Sequence, residues 1–261
     1  MEKPKENDRW NAEYYKQHSA IQFNGALDIL NNILFEGNED IIDIGCGDGK
    51  ITAEIANYLP NGTVLGIDAS ENMIQVCKQY YGHIKNLSFQ CISADNFVIS
   101  MKFDIVVSFF TFHWIENQYK ALNNIYQMLK QGGVLIIKTS SGNCPEIAEV
   151  FERESWGKQI PLGQNMWYGK TADEYEQILI KCGFKNIKIE TIQASRFFNT
   201  TVDFVNYAMG WVPHVTGLSN NKAIAFAHDL AVNVRAKMKR KDLQNRIELI
   251  SPIVVIRTQK S

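Results

Sequence analysis

The segment Asp43-Ile44-Gly45-Cys46-Gly47-Asp48-Gly49 constrains the fold of this chain more than any other stretch. Its glycines follow directly on a short apolar run, Asp40 to Ile44, that reads as a strand. Glycine lets a backbone turn tightly and approach a ligand with no side chain in between. A loop of this kind at a strand's end marks the ligand-binding edge of a doubly wound α/β sheet. The spacing then separates two chemistries. A loop that seats a pyrophosphate reads GxGxxG, so that the diphosphate rests on the N-terminus of the next helix. This loop reads GxGxG and is bracketed by Asp43 and Asp48. Two carboxylates repel a diphosphate and suit a cationic ligand, which disfavours a nicotinamide oxidoreductase.

The rest of the chain supports the same fold. Phe23, Ala26, Leu27, Leu30 and Leu34 recur at helical spacing and predict a helix from Ser19 to Phe35. Asp40–Ile44, Thr63–Ile67 (closed by Asp68), Leu87–Ile92, Phe103–Phe109 and Val134–Lys138 read as strands, the last entered through a Gly132-Gly133 turn. Helical stripes alternate with them: Ile51, Ile55 and Leu59; Met73, Ile74 and Cys77; Ala121, Leu122, Ile125 and Met128. Continuous apolar strands indicate a parallel sheet covered on both faces, and right-handed crossovers make it doubly wound. Ser140 to Lys170 reads as irregular, Thr171 to Lys181 as a helix, and Phe184–Ile192 and Arg246–Arg257 as the last two strands. Between those strands Ile224, Ala227, Ala231, Val234 and Met238 follow helical spacing. The expected architecture is a single domain over residues 1–261, a Rossmann-like seven-stranded α/β sheet. Residues 1–36 form an N-terminal lid and helix, 40–139 the cofactor-binding core, and 194–241 a helical cap inserted between the last two strands.

Bulk properties narrow the partners. A net charge of -1 supplies no basic field for nucleic acid or an anionic membrane. The basic run Lys237 to Lys241 reads as the solvated end of a helix. The five cysteines, Cys46, Cys77, Cys91, Cys144 and Cys182, include no CxxC pair, so neither a disulfide framework nor a metal site is expected. Met1 to Arg9 is charged rather than apolar, and no uncharged apolar run approaches the ~20 residues of a membrane span. A cytoplasmic location is the expectation.

Acidic residues fall at successive strand ends. Asp68 ends the second strand at about the interval where a carboxylate grips ribose hydroxyls, and Asp95 follows the third, placed to accept from an adenine amino group. Ala69 and Met73 offer apolar contact to the adenine face. Asp43 through Gly49 resembles the first motif of class I S-adenosylmethionine-dependent methyltransferases. Asp68, Asp95, the strand Phe103–Phe109 and Gly132-Gly133 match later motifs, so the resemblance covers Asp40 to Lys138. It implies S-adenosyl-L-methionine as cofactor, with Gly45 and Gly47 along the methionine portion. Asp43, Cys46, Asn96 and Ser108 complete the implied cofactor contacts.

Outside that core the chain is similar to a narrower group that methylates small carboxylic acids. It comprises the trans-aconitate, juvenile hormone acid and malonyl carrier-protein methyltransferases. Trp10 to Gln22, Ser108 to Trp114, and Trp211-Val212 carry this similarity. It implies O-methylation of a small acid, free or on a carrier protein. Following the fourth strand, His113 and Trp114 read either as a hydrogen-bond donor and an apolar wall of the acceptor pocket or as a helix cap and a packing residue, and Gln22 reads as a lid or a surface residue. For an acid acceptor, a cation such as Arg196 would neutralise a second carboxylate. Trp156, Trp167 and Tyr168 read either as pocket walls or as core plugs. Ser108-Phe109-Phe110-Thr111 stands where an Asn-Pro-Pro-Tyr or Asp-Pro-Pro-Tyr tetrapeptide would cradle an exocyclic amine, which argues against N-methylation of DNA or glutamine. The alternative of another class is a protein that binds the cofactor without transferring its methyl group.

Overall fold

The computed structural model describes residues 8, 10–142, 144–160, 167–238 and 246–261. The chain opens with two helices, α1 (Ala12–His18) and α2 (Ala20–Leu30), where one helix from Ser19 to Phe35 was expected. Asn11 caps α1 by accepting the Tyr14 N–H at 3.0 Å. Ser19 stands at the junction and spends its hydroxyl on Asp48, at 2.8 Å. Helix α2 stops at Leu30, before Asn31 and Asn32, residues of poor helix propensity. Leu34, counted in the helical pattern, is 98% exposed, and it is Ile33 and Phe35 on either side of it that pack on the core.

The alternating core follows in order: β1 (Asp40–Ile44), α3 (Lys50–Asn57), β2 (Thr63–Asp68), α4 (Glu71–Tyr81), β3 (Leu87–Cys91), β4 (Phe103–Phe109), α5 (Gln118–Met128) and β5 (Leu129–Ser140). Strand β5 starts earlier than expected. Phe103 pairs with Leu129 and Ile105 with Val134, so Lys130–Gly133 bulges out within the strand, helped by the positive φ of 78° at Gly132. Helices α6 (Pro145–Phe151) and α7 (Glu154–Gly157) occupy part of the segment read as irregular. Helix α8 (Ala172–Cys182) is closed by a Thr171/Glu174 capping box and by Gly183 at φ 96°. Strand β6 (Lys185–Phe198) runs past Ile192, the end expected for it. After it come α9 (Thr201–Met209), α10 (Val212–Thr216), α11 (Asn220–Lys237) and β7 (Ile247–Gln259). Lys239, Arg240 and Lys241 of the basic run lie outside the described residues.

The seven strands form one sheet in the order β3-β2-β1-β4-β5-β7-β6. Strands β1 to β5 are parallel, and β7 is antiparallel to both of its neighbours. Period-two alternation divides the apolar side chains between two faces. Ile41, Val107 and Ile136 meet α2, α3 and α4 on one side. Ile42, Val106 and Leu135 meet α5 and α8 on the other. A separate cluster, built on Phe204, Val212, Phe226 and Leu230, joins α6, α7, α9, α10 and α11 to Phe198, Ile247 and Leu249. Of these helices α9, α10 and α11 lie between the last two strands in the chain, whereas α6 and α7 come before β6. All five cysteines are free. Among the described residues no helix is long and apolar enough to cross a membrane.

Candidate active site

The site is built from the carboxyl ends of the strands. Where β1 ends, Gly45, Gly47 and Gly49 take φ values of 73°, 54° and 77°, a region that L side chains rarely adopt. The Gly45 and Cys46 N–H groups both donate to the Ile67 carbonyl, at 2.7 and 2.9 Å, which ties the loop to β2. A Cβ on Gly45 would fall 2.1 Å from Thr111 Cγ2, so nothing larger than glycine fits there. Gly47 differs, because a Cβ there would meet only Tyr15, at 3.5 Å. The loop therefore presents bare backbone to open space at one point.

Carboxylates surround that point. Asp68 Oδ2 accepts the Gly47 N–H at 3.0 Å and Oδ1 accepts the Ser70 N–H at 2.9 Å, so both oxygens are fixed in direction. Burial raises the Asp68 pKa to about 6 against the lowering effect of these hydrogen bonds. Asp48 is turned to the N-terminal helices, accepting from Ser19 Oγ and lying 3.8 Å from the Lys50 ammonium. Asp43 lies beneath the loop, where Thr52 Oγ1 donates to it at 2.8 Å and burial pushes its pKa up to about 7.

A cavity of about 320 Å³ covers this edge of the sheet. At the β2–β3 end it is lined by Asp68, Ala69, Met73 and Asp95, then by Gly45, Cys46 and Gly47. Farther along come Gln22, His113 and Trp114, and at the β6–β7 end Arg196 and Ser251. The structure thus gathers most of the expected residues in one cavity. Asp43, Asn96 and Ser108 are not in its wall. Ser108 Oγ donates to the Ile44 carbonyl at 2.8 Å and pins β4 to β1. Asn96 is exposed and bonded to Ser93 and Lys120, at 3.0 and 3.1 Å. Of the aromatic residues considered, Trp167 lines the cavity. Trp156 instead belongs to the cap core, its indole N–H donating to Asp229 at 2.7 Å. Tyr168 stands outside the wall and donates its backbone N–H to the His113 carbonyl at 2.8 Å.

His113 sits in the 3-10 turn Phe112–Trp114 that follows β4. Its N–H donates to Thr139 Oγ1 at 3.2 Å, and that hydroxyl is 2.9 Å from Nδ1. The Ser140 N–H, which can only donate, also points at Nδ1, at 3.4 Å. Nδ1 therefore serves as the acceptor, which leaves the proton on Nε2 of a ring that lines the cavity. Burial, with Arg196 adding repulsion, lowers the His113 pKa to about 3. The imidazole is a neutral donor at physiological pH. Gln22 Oε1 is buried with no hydrogen-bond partner among the described residues, an acceptor left for a ligand's N–H or O–H, while only the amide NH2 of the same side chain could donate to a carboxylate.

The roof comes from two distant segments. Trp10 stacks on His214 of α10 with centroids 4.3 Å apart and meets Trp114 edge-on at 5.7 Å. Tyr14 Oη donates to the Asn206 carbonyl of α9 at 3.2 Å. Asp8 accepts from Ser70 Oγ at 2.8 Å and from the Asn72 N–H at 3.1 Å, fastening the N-terminal segment to the start of α4. Asp8, Tyr207, His214 and Ser251 were not singled out from sequence. No local pattern marks them, because each reaches the site through pairing between distant segments.

An acidic end, bare glycine backbone and apolar Ala69 and Met73 form a set of contacts for a cationic adenosyl ligand. Together with the strand order, they define a class I methyltransferase that uses S-adenosylmethionine. Residues 35–194, more than half of the chain, match the family model described as "Methyltransferase domain", and the chain belongs to that family. It is 38% identical over 150 residues to a protein of Invertebrate iridescent virus 6 named as methyltransferase 235L, covering 56% of each chain. It is 28% identical over 199 residues to juvenile hormone acid O-methyltransferase of Bombyx mori, covering 69% of this chain and 70% of that one. To malonyl-[acyl-carrier protein] O-methyltransferase of Bacillus cytotoxicus it is 31% identical over 162 residues, covering 59% and 56%. The alignment thus spans little more than half of the viral and bacterial relatives. The crystal structure of YcgJ from Bacillus subtilis shares the fold, with a TM-score of 0.66 at 14% identity over 91% of this chain and 98% of that one.

Proposed function

We propose that this enzyme O-methylates the carboxylate of a small organic acid. One observation carries the reading: His113, which lines the cavity, has its lone-pair nitrogen Nδ1 engaged by Thr139 and Ser140. Transfer to a hydroxyl or an ammonium group requires a base to remove a proton, and His113 is a poor one, because that nitrogen is taken and burial opposes the protonated ring. A carboxylic acid, which ordinarily titrates near pH ~4, arrives already ionised and needs only orientation and partial desolvation. The acid-methylating relatives in insects and bacilli support the same reading.

In this reading Asp68 accepts from the ribose hydroxyls, and Asp95 faces the adenine amino group across apolar Ala69 and Met73. Gly45, Cys46 and Gly47 lie along the methionine portion. Asp43 and Ser108 support the loop from below. When bound, S-adenosylmethionine supplies an electrophilic methyl on a positive sulfur; transfer forms one C–O bond, breaks one C–S bond and moves no proton. His113 Nε2–H and the Gln22 amide orient the acid, and Trp114 walls its apolar part. Helices α1 and α2 and the helices α9 to α11 act as a roof over the 40–139 core that excludes water.

The test is incubation of a small-acid library with cofactor carrying a labelled methyl group, read by mass spectrometry. Label in base-labile methyl esters is the expected result. Label that resists alkaline hydrolysis, as in ethers or methylamines, would contradict the proposal. The carrier-protein relatives favour a second form of the same reading, in which the acid is presented on a carrier arm. Malonyl carrier protein as a separate sample distinguishes the two.

A further inference from the structure

The cavity is polarised along its length. Its β1–β3 end carries Asp68 and Asp95, with Asp48 beside the Lys50 ammonium at 3.8 Å, whereas its far end is lined by Arg196. Arg196 lies on β6, opposite Leu249 of β7 in the sheet register. Its Nη1 donates to Ser251 Oγ, a neutral acceptor, and no carboxylate forms an ion pair with it among the described residues. A guanidinium offers five N–H donors in a planar fork, and one serine oxygen satisfies only one of them. Half-buried cations in folded proteins ordinarily face a carboxylate, and this one faces a cavity instead.

His113 is the neighbouring polar group, and the two donors differ in kind. A full ion pair on the attacking oxygen would hold back the electron pair that must form the new bond. A neutral imidazole N–H orients that oxygen with less loss of nucleophilicity. The division of labour follows: a neutral donor for the reacting carboxylate and a cation for an anionic group that does not react.

We infer that the acceptor carries a second anionic group, and that Arg196, held by Ser251, is the residue that selects it. The substrate class is then a dicarboxylic acid, or an acid bearing another anion at its far end, methylated on the carboxylate away from Arg196. This inference rests on the carboxyl O-methyltransferase reading above. Ile147, Trp167 and Leu249, which also line this part of the cavity, suit the apolar spacer between the two anions.

The experiment measures kcat/KM for saturated dicarboxylic acids from malonate to suberate, each beside its own monomethyl ester. Wild-type enzyme is expected to prefer at least one diacid over its half-ester by about 10- to 100-fold, the range of one charge-assisted contact. Arg196→Gln should collapse that preference through KM. Arg196→Lys should restore part of it, and Ser251→Ala should weaken it to a smaller degree. Calorimetric binding of S-adenosylhomocysteine establishes that each variant is folded. Equal efficiency for diacid and half-ester, or a preference unchanged in Arg196→Gln, overturns the second anion while leaving the carboxyl reading intact. Base-labile product from no acid in the set, with label found instead in base-stable products, overturns both.

Discussion

Asp68, half-buried, and His113, buried, are titratable groups at the cavity wall, and loss of water shifts them in opposite directions because it penalises the charged form. The carboxyl rises to about 6 and the imidazole falls to about 3. Above both values Asp68 is charged and His113 neutral, the combination that one acceptor and one donor need. Asp68→Ala should weaken S-adenosylhomocysteine binding about 10- to 100-fold, from the ~1.5–3 kcal/mol of a charge-assisted hydrogen bond. In the wild type the affinity should be level above pH 7 and fall as the pH drops through about 6, where Asp68 takes up its proton. Calorimetry across pH checks both, and an affinity indifferent to the substitution would remove the assignment. Asp68 was legible in the sequence because a strand end fixes where a carboxylate points. The neutral state of His113 was not, because it comes from burial and from Arg196 on a distant strand, while Thr139 and Ser140 set which nitrogen accepts. Asn96 follows Asp95 directly, yet its side chain turns to Ser93 and Lys120 rather than to the cavity.

At the level of elements, the roof is assembled from parts that meet only in three dimensions. Ser19, Asp48 and Lys50 hold the junction of α1 and α2 to the glycine loop. Trp10 and Tyr14 then reach α10 and α9. These contacts roof the cavity, and a ligand that binds the roofed form better than an open one would favour them. Amide hydrogen exchange across residues 10–30 and 201–216 should therefore slow when S-adenosylhomocysteine is added. Exchange unaltered by ligand would contradict a closing roof. Local propensity placed the central elements well, since β1, β2 and β4 are short apolar runs and each leads into a helix with an apolar stripe. It failed where pairing decides. Strand β6 continues to Phe198 because β7 offers partners along its whole length, from Gln259 back to Ile247. Likewise α6 and α7 form against the cap core, through Val150 and Trp156, although their own sequence carries little helical pattern.

For the whole molecule, a net charge of -1 conceals an ordered separation, with carboxylates at one end of the cavity and a guanidinium at the other. The doubly wound order was legible because apolar alternation and crossover handedness leave few topologies open. The antiparallel direction of β7 was not, because periodicity within a strand says nothing about its direction. The account's central claim is that this chain orients an acid that is already ionised and removes no proton from it. The most direct measurement is kcat at saturating cofactor and acid, from about pH 6.5 to 9, for wild type and His113→Ala. The account predicts a flat profile in both. The variant should lie only about 2- to 10-fold lower, the equivalent of one neutral hydrogen bond. A wild-type rate that climbs with pH through a single ionisation, and a loss of about 100-fold or more in His113→Ala, would identify His113 as a general base and contradict it.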